Sequence, residues 1–259
     1  MTKLPVSAIV ASRNEADLLE DCLKSLSFCS EIIVYDLEST DRTKEVAEAH
    51  GAKVIPHKLV PIVEEIRRES VAIARFDWMF FLDPDETLTS PLQKFIVTNF
   101  DQAVKDKYTA FDFPWVFFYK SHRLRGGVWG EWKFKRCLLD RRSYNFTAEI
   151  HFDIMPRGNE KVMTVPNRED AYIHHQWMRS SKELFEKHRR YISKEAKQLK
   201  ASGTLYFLKR HLKVVAWSFY DYLVVKKGFK DAWTGLYLAW FWAWYKHNIW
   251  KEYSVLSAQ

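Results

Sequence analysis

Cysteine is scarce in this chain, and long apolar runs are missing. Only Cys22, Cys29 and Cys137 occur among 259 residues. They form no C-x-x-C pair and no even-numbered framework, which excludes a disulfide-stapled scaffold and points to free thiols in a reducing compartment. No uncharged apolar run reaches the roughly 18 to 20 residues that a spanning helix needs. The longest, Ala232 to Tyr245, has 14, and suits a helix lying on or packed against a surface. No charged stretch followed by a long apolar one opens the sequence, so no signal peptide is read there and a cytoplasmic protein is expected. Internal repeats and low-complexity linkers are also lacking. An apolar content of 47% is ample for a substantial core, so the expectation is one α/β catalytic domain with a helical appendage.

Charge is unevenly spread. Lys plus Arg number 40 against 33 for Asp plus Glu. Residues 179–259 hold sixteen bases and six acids, whereas residues 1–178 are three charges negative. Sixteen aromatic side chains lie between Leu205 and Tyr253. Trp233, Leu236, Tyr237, Trp240 and Trp244 fall on one helical stripe, preceded by Lys226, Lys227 and Lys230. Such a stripe suits an anionic membrane surface, and equally packing against the catalytic domain or a second protomer. Nucleic acid is set aside, because the bases are too sparse among these aromatics. The expected domains are therefore 1–178, catalytic, and 179–259, a basic helical extension for membrane or oligomer contact.

The first ninety residues alternate strand and helix. Pro5 to Ala11 and Glu31 to Tyr35 read as buried parallel strands. Between them Leu18, Leu19, Cys22, Leu23 and Leu26 form one helical stripe. Thr43 to His50 reads as helix with Gly51 as its C-cap, Lys53 to Pro56 as strand, Ile62 to Arg75 as helix, and Trp78 to Leu82 as the most apolar strand. This order predicts a doubly wound, mostly parallel sheet, in which ligands bind beyond the carboxyl ends of the strands. At those ends stand Arg13-Asn14-Glu15, Asp36 to Asp41, and Asp83-Pro84-Asp85-Glu86.

The triplet Asp83, Asp85 and Glu86 is the sharpest chemical feature. Clustered carboxylates repel one another unless a cation neutralises them, so a hard divalent metal, Mg²⁺ or Mn²⁺, completed by substrate phosphates is one reading. A solvated acidic turn ahead of the helix near Ser90-Pro91 is the other. Asp36 and Asp41 suit hydrogen bonds from a ribose or a base edge, and Asp41 equally suits capping the next helix. Asn14 and Glu15 allow the same two readings for the first helix. Arg67 and Arg68 lie where they reach a diphosphate or simply face solvent.

Taken together, Arg13-Asn14-Glu15, Asp36-x-x-Ser39-Thr40-Asp41-Arg42-Thr43, Asp77-Trp78 and Leu82-Asp83-x-Asp85-Glu86 resemble the inverting family 2 glycosyltransferases of the GT-A fold. More narrowly, the pattern is similar to the bacterial branch that adds a hexose, often glucose, to the lipopolysaccharide inner core. The resemblance covers residues 5–90 and continues loosely through Trp129, Arg136, Glu149 to His151, His174-His175 and Lys227 to Asp231. It implies a Rossmann-like GT-A sheet, a UDP-hexose donor and a saccharide or glycolipid acceptor, with the protein peripheral on the inner face of the cytoplasmic membrane. Arg13, Asn14, Glu15, Asp41 and Arg67 then belong to the nucleotide site, Asp36 meets uracil or ribose, Asp83 the ribose side, and Asp85 the metal on the diphosphate. A histidine of the His174-His175 pair, taken as His174, completes that site. Inversion requires one general base on the acceptor side, here Glu149 with Glu131 as the alternative. Trp129 and Trp132 either stack on a sugar or fill the core. Leu37, Glu38 and Pro84 depart from the Ser, Gly and Ala of the branch. The rival reading is a non-catalytic nucleotide-sugar or lipid-binding protein of the same fold.

Overall fold

The computed structural model describes residues 3–131, 133–147, 154–166 and 169–257. The chain forms two compact units, Met1–Trp115 with Lys133–His175, and Val116–Trp132 with Gln176–Gln259.

In the first unit β1 (Leu4–Ser12), α1 (Ala16–Ser25), β2 (Cys29–Leu37), α2 (Thr43–Ala49), β3 (Lys53–His57), α3 (Glu64–Ile73) and β4 (Trp78–Phe81) follow the expected order closely. β1 is buried along nearly its whole length, because both its faces are covered, as a central parallel strand requires. It pairs in parallel with β2, Ala8 opposite Ile32, and with β4, Ala8 opposite Phe80. Gly51 takes a φ of +71° after α2, the left-handed cap that glycine supplies without a Cβ clash. The chain continues through β5 (Glu86–Leu88) and α4 (Ser90–Lys105) to β6 (Ala110–Tyr119).

Sheet order is β3-β2-β1-β4-β8-β6-β12-β5, where β8 is Lys133–Asp140 and β12 is Ile173–Met178. The β3 to β4 half is parallel; β8 turns the pattern by pairing antiparallel with both β4 and β6. β9 (Tyr144–Phe146) and β10 (Ile154–Pro156) form a separate antiparallel pair, and β11 (Val162–Thr164) lies parallel to β6. Phe28, Phe80, Phe100, Phe111 and Phe113 are fully buried in this core, each contributing on the order of 2–3 kcal/mol. The three cysteines are free and buried.

The second unit contains the short β7 (His122–Arg123) and α5 (Gly127–Gly130), then α6 (Ser181–Ala201), α7 (Leu208–Tyr220), a π-turn over Asp221–Val225 and α8 (Ala232–Ser257). Ser180 starts α6 by accepting the Glu183 N–H at 3.1 Å, and the Glu183 carboxylate accepts the Arg179 N–H at 2.7 Å, the reciprocal pattern of a capping box. Asp231 is buried and accepts the backbone N–H groups of Arg125 at 2.8 Å and Gly126 at 2.9 Å, with His122 Nε2 at 3.2 Å. A Cβ on Gly126 would stand 2.0 Å from the Lys227 carbonyl oxygen, so only glycine fits there.

This clamp holds an earlier stretch of the chain in the second unit. The second unit takes up the chain at Gln176, and it also owns the Gly126-Gly127 turn with Trp129 and Glu131, because Asp231 binds that turn's backbone. No described helix is long and apolar enough to cross a membrane.

Candidate functional site

The site is assembled at the carboxyl ends of β1, β2 and β4. Asn14 and Glu38, the residues that turn the chain out of β1 and β2, hold φ of 55° and 56°. Left-handed backbone costs a non-glycine residue roughly 1–2 kcal/mol, and at Glu38 it stands where the resembling branch carries glycine. The cost is offset by a lattice of hydrogen bonds. Asn14 Oδ1 accepts the Thr40 N–H at 2.7 Å, and the Asn14 N–H reaches Ser39 Oγ at 3.0 Å. Asp41 accepts the Ala16 N–H at 3.1 Å and the Thr43 N–H at 3.0 Å, with the Thr43 hydroxyl at 2.5 Å. Burial works against its charge, but these donors hold the Asp41 carboxyl below its ordinary value.

Asn14 and Asp41 thus pin the two loops to each other and to the starts of α1 and α2. The Asp41 carboxylate is engaged with the starts of both helices. Glu15 accepts the Arg13 N–H at 3.3 Å, and the Arg13 side chain is exposed. Asp36 is half-buried and spends one oxygen on the Ser39 N–H at 3.2 Å; among the described residues its other oxygen is left for a ligand.

After β4 the acidic triplet separates into distinct roles. Glu86 is fully buried, accepts the Asp83 N–H at 3.0 Å and shares an oxygen with the Lys135 ammonium. Lys135 reaches over from β8, donates to Asp83 at 2.9 Å and lies 5.4 Å from the centre of the Trp115 ring. Arg67 of α3 comes within 3.9 Å of Asp83. Burial pushes the Glu86 carboxyl up despite Lys135. Burial also opposes the charge of Asp83, yet Lys135 and Arg67 bring its pKa down to about 2.

A carboxyl group lowered in this way contributes stability that is complete above its unfolded pKa and lost as pH falls through its folded value. The difference in unfolding midpoint between the protein and Asp83→Asn should accordingly close as pH falls from 3.8 to about 2. Thermal scans across that window check it; a difference unchanged by pH would remove the Lys135–Asp83 pairing.

Asp85 faces His175, not His174. β12 pairs antiparallel with β5, setting His175 opposite Glu86 and His174 opposite Thr87, and neighbouring side chains on a strand point to opposite faces. His175 Nε2 lies 3.2 Å from Asp85 Oδ2, and its ring stacks on Trp115 at 5.0 Å between centres. Of the His174-His175 pair it is therefore His175 that stands beside Asp85. Among the described residues no group of three or more His, Cys, Asp or Glu forms a metal cage. Asp85 and His175 suit the lighter demand of an ion that takes one or two protein ligands and fills its other positions with water and phosphate oxygens.

Lys135 meets both Asp83 and Glu86, and Arg67 approaches Asp83, so two of the three carboxylates already have a cation of the chain beside them. Lys135 was missed by sequence reasoning. Its only trace is a base set two residues before the apolar stretch Cys137-Leu138-Leu139.

Asp77, beside Trp78, sits at the other end of β4 and pairs with Arg141 at 3.2 Å. Trp129 is packed in the second unit against Trp177 at 4.1 Å, Tyr222 at 5.6 Å and Trp242 at 5.6 Å. Glu131, also of the second unit, is half-exposed and pairs with Lys226 at 3.3 Å. Glu149, Trp132 and His151 fall outside the described residues.

A family model described as glycosyl transferase family 2 matches residues 7–155. An uncharacterized glycosyltransferase of Rickettsia bellii is 33% identical over 119 residues, which are 45% of this chain and 40% of that protein. The match therefore spans less than half of that relative. A lipopolysaccharide core biosynthesis glycosyltransferase, LpsC, of Rhizobium meliloti is 25% identical over 167 residues, 61% of this chain and 59% of that one. Among solved structures, glucosyl-3-phosphoglycerate synthase from Mycobacterium tuberculosis, in complex with Mn²⁺, UDP and glucosyl-3-phosphoglycerate, is 25% identical over 44% of each chain with a TM-score of 0.34.

Proposed function

From the membership of this chain in glycosyl transferase family 2, we propose that it is an inverting, metal-dependent hexosyltransferase. It moves glucose from UDP-glucose to a saccharide acceptor of lipopolysaccharide core or a related cell-surface glycan, working at the inner face of the cytoplasmic membrane. The observation that carries this reading is the placement of Asp36 at the end of β2 and of Asp83 and Asp85 just beyond β4, with His175 of β12 beside Asp85, all on one sheet.

Asp36 offers its open carboxylate oxygen to the ribose or uracil. Asp83, held ionised by Lys135 and Arg67, accepts from the ribose hydroxyls. Asp85 and His175 would hold Mn²⁺ or Mg²⁺, which would supply positive charge against the departing diphosphate. Arg67 adds a fixed positive charge to the same side, and such preorganised charge is commonly the largest catalytic contribution. One carboxylate on the acceptor side, Glu149, takes the proton of the attacking hydroxyl in a single in-line displacement.

A screen of UDP, GDP and TDP sugars for transfer or hydrolysis, with and without Mn²⁺, tests the proposal. Turnover of UDP-glucose that disappears with chelator is the expected result. Binding of UDP with no turnover of any sugar would favour a non-catalytic binding protein instead.

A further inference from the structure

Helix α7 divides sharply into two faces. His211 and Ser218 are buried against the rest of the second unit, and Val214 lies on the same side, half-buried. Over the outer half run Leu208, Leu212, Ala216 and Tyr220, with Lys209, Lys213 and Trp217 beside them, all exposed. Leu208 is 63% exposed, Leu212 60% and Trp217 56%. Trp217 and Tyr220 touch, with ring centres 5.6 Å apart, so the face presents a paired aromatic surface to the outside. The π-turn that ends α7 continues it with exposed Val224 and Val225.

An outward face this rich in large apolar side chains is costly in water unless something covers it. Charge identifies the cover. From Leu205 to Lys230 the chain holds six bases and a single acid, Asp221. Lys209, Lys213, Lys227 and Lys230 make no ion pair among the described residues. A second copy of this chain would bring the same positive charge to the contact and oppose it. An anionic lipid surface would attract it, while lysines reach the headgroups and Leu, Trp and Tyr enter the acyl boundary.

The aromatic stripe of α8 is a weaker candidate for the same role. Trp233 and Trp240 are exposed, but Tyr237 rests on Tyr119 and Trp244 on Phe185, with ring centres 5.9 Å and 4.5 Å apart.

We infer that the outer face of α7, extended by the π-turn and by Lys227 and Lys230, is a membrane-docking surface for anionic phospholipid headgroups. The inference deepens the reading of the enzyme as one that works at the membrane, yet it concerns a surface that takes no part in donor chemistry.

The test is co-sedimentation of the full chain with phosphatidylcholine vesicles and with vesicles containing phosphatidylglycerol, without donor or acceptor. Sedimentation with the anionic vesicles alone, diminished by salt, is expected. Since each surface lysine contributes about 1 kcal/mol, Lys209→Gln, Lys213→Gln and Lys227→Gln together should weaken partitioning on the order of a hundredfold. Trp217→Ser should weaken it at every salt concentration. These side chains are exposed, so an unchanged circular dichroism spectrum and melting point will show that the variants fold.

Equal sedimentation with both vesicle types, or variants that bind like the parent, would overturn the inference. So would light scattering that shows a dimer dissolved by Trp217→Ser with no vesicle binding, which would make the occupant a second protomer. Because no sugar enters the experiment, its failure and a failure to transfer glucose are separately visible.

Discussion

Asp85→Ala is expected to lower UDP-glucose turnover on the order of a thousandfold, the loss typical when preorganised charge at a reacting centre is removed. The melting point should stay close to that of the parent. Among the described residues Asp85 makes a single side-chain hydrogen bond, to His175 at 3.2 Å, and is 25% exposed, so its removal opens no cavity in the core. The comparison that sharpens this is between the two histidines. His175→Ala should lose activity and Mn²⁺ response together with Asp85→Ala, whereas His174→Ala, on the other face of β12, should remain much nearer the parent. Kinetics as a function of Mn²⁺ concentration reads all three. Full activity in Asp85→Ala, or a greater loss in His174→Ala than in His175→Ala, would remove the metal site as drawn.

The second large effect is on stability. Lys135→Met removes the one cation that touches both Asp83 and the fully buried Glu86. Breaking a buried ion pair from one side costs about 3–5 kcal/mol, because the remaining charge is left without compensation. For a chain of this size that corresponds to a fall in melting point on the order of 10 °C.

The pH dependence has a definite sign. Burial already raises the Glu86 carboxyl above its ordinary 4.5, and without Lys135 it should rise further. A group whose folded pKa is raised contributes stability present below its unfolded pKa and lost as pH rises through the folded one. Lys135→Met should therefore be least stable at neutral and alkaline pH and recover as the solution is acidified toward 4.5. Adding Glu86→Gln should restore much of the loss at neutral pH, which a double-mutant cycle by urea unfolding will measure. A variant as stable as the parent at neutral pH, or no rescue by Glu86→Gln, would show that Lys135 does not neutralise this site.

Much of the first unit was legible in the sequence. Apolar runs of five to seven residues suit strands buried on both faces, as in a parallel sheet, so Pro5 to Ala11, Glu31 to Tyr35 and Trp78 to Leu82 revealed β1, β2 and β4. Their order then placed Asp36, Asp83 and Asp85 at one edge. The functions of polar side chains within that edge were less legible, because they depend on which donors arrive from distant parts of the chain. Asn14 and Asp41 share a loop lattice formed across 25 residues or more, and nothing local to either distinguishes a cap from a ligand.

The sequence by itself determined the strand–helix alternation, the edge of the sheet that carries the chemistry, the free thiols, and the basic, aromatic character of the C-terminal stretch. These follow from local periodicity and composition, which every residue carries with it. Only the tertiary structure decided that Lys135 neutralises Asp83 and Glu86, that His175 and not His174 meets Asp85, that Asp231 fastens the Gly126 turn to the second unit, and that α7 leaves an apolar face outward. Each of these is a pairing between residues far apart in the chain. Burial and charge compensation act on distance in space, which no local pattern records.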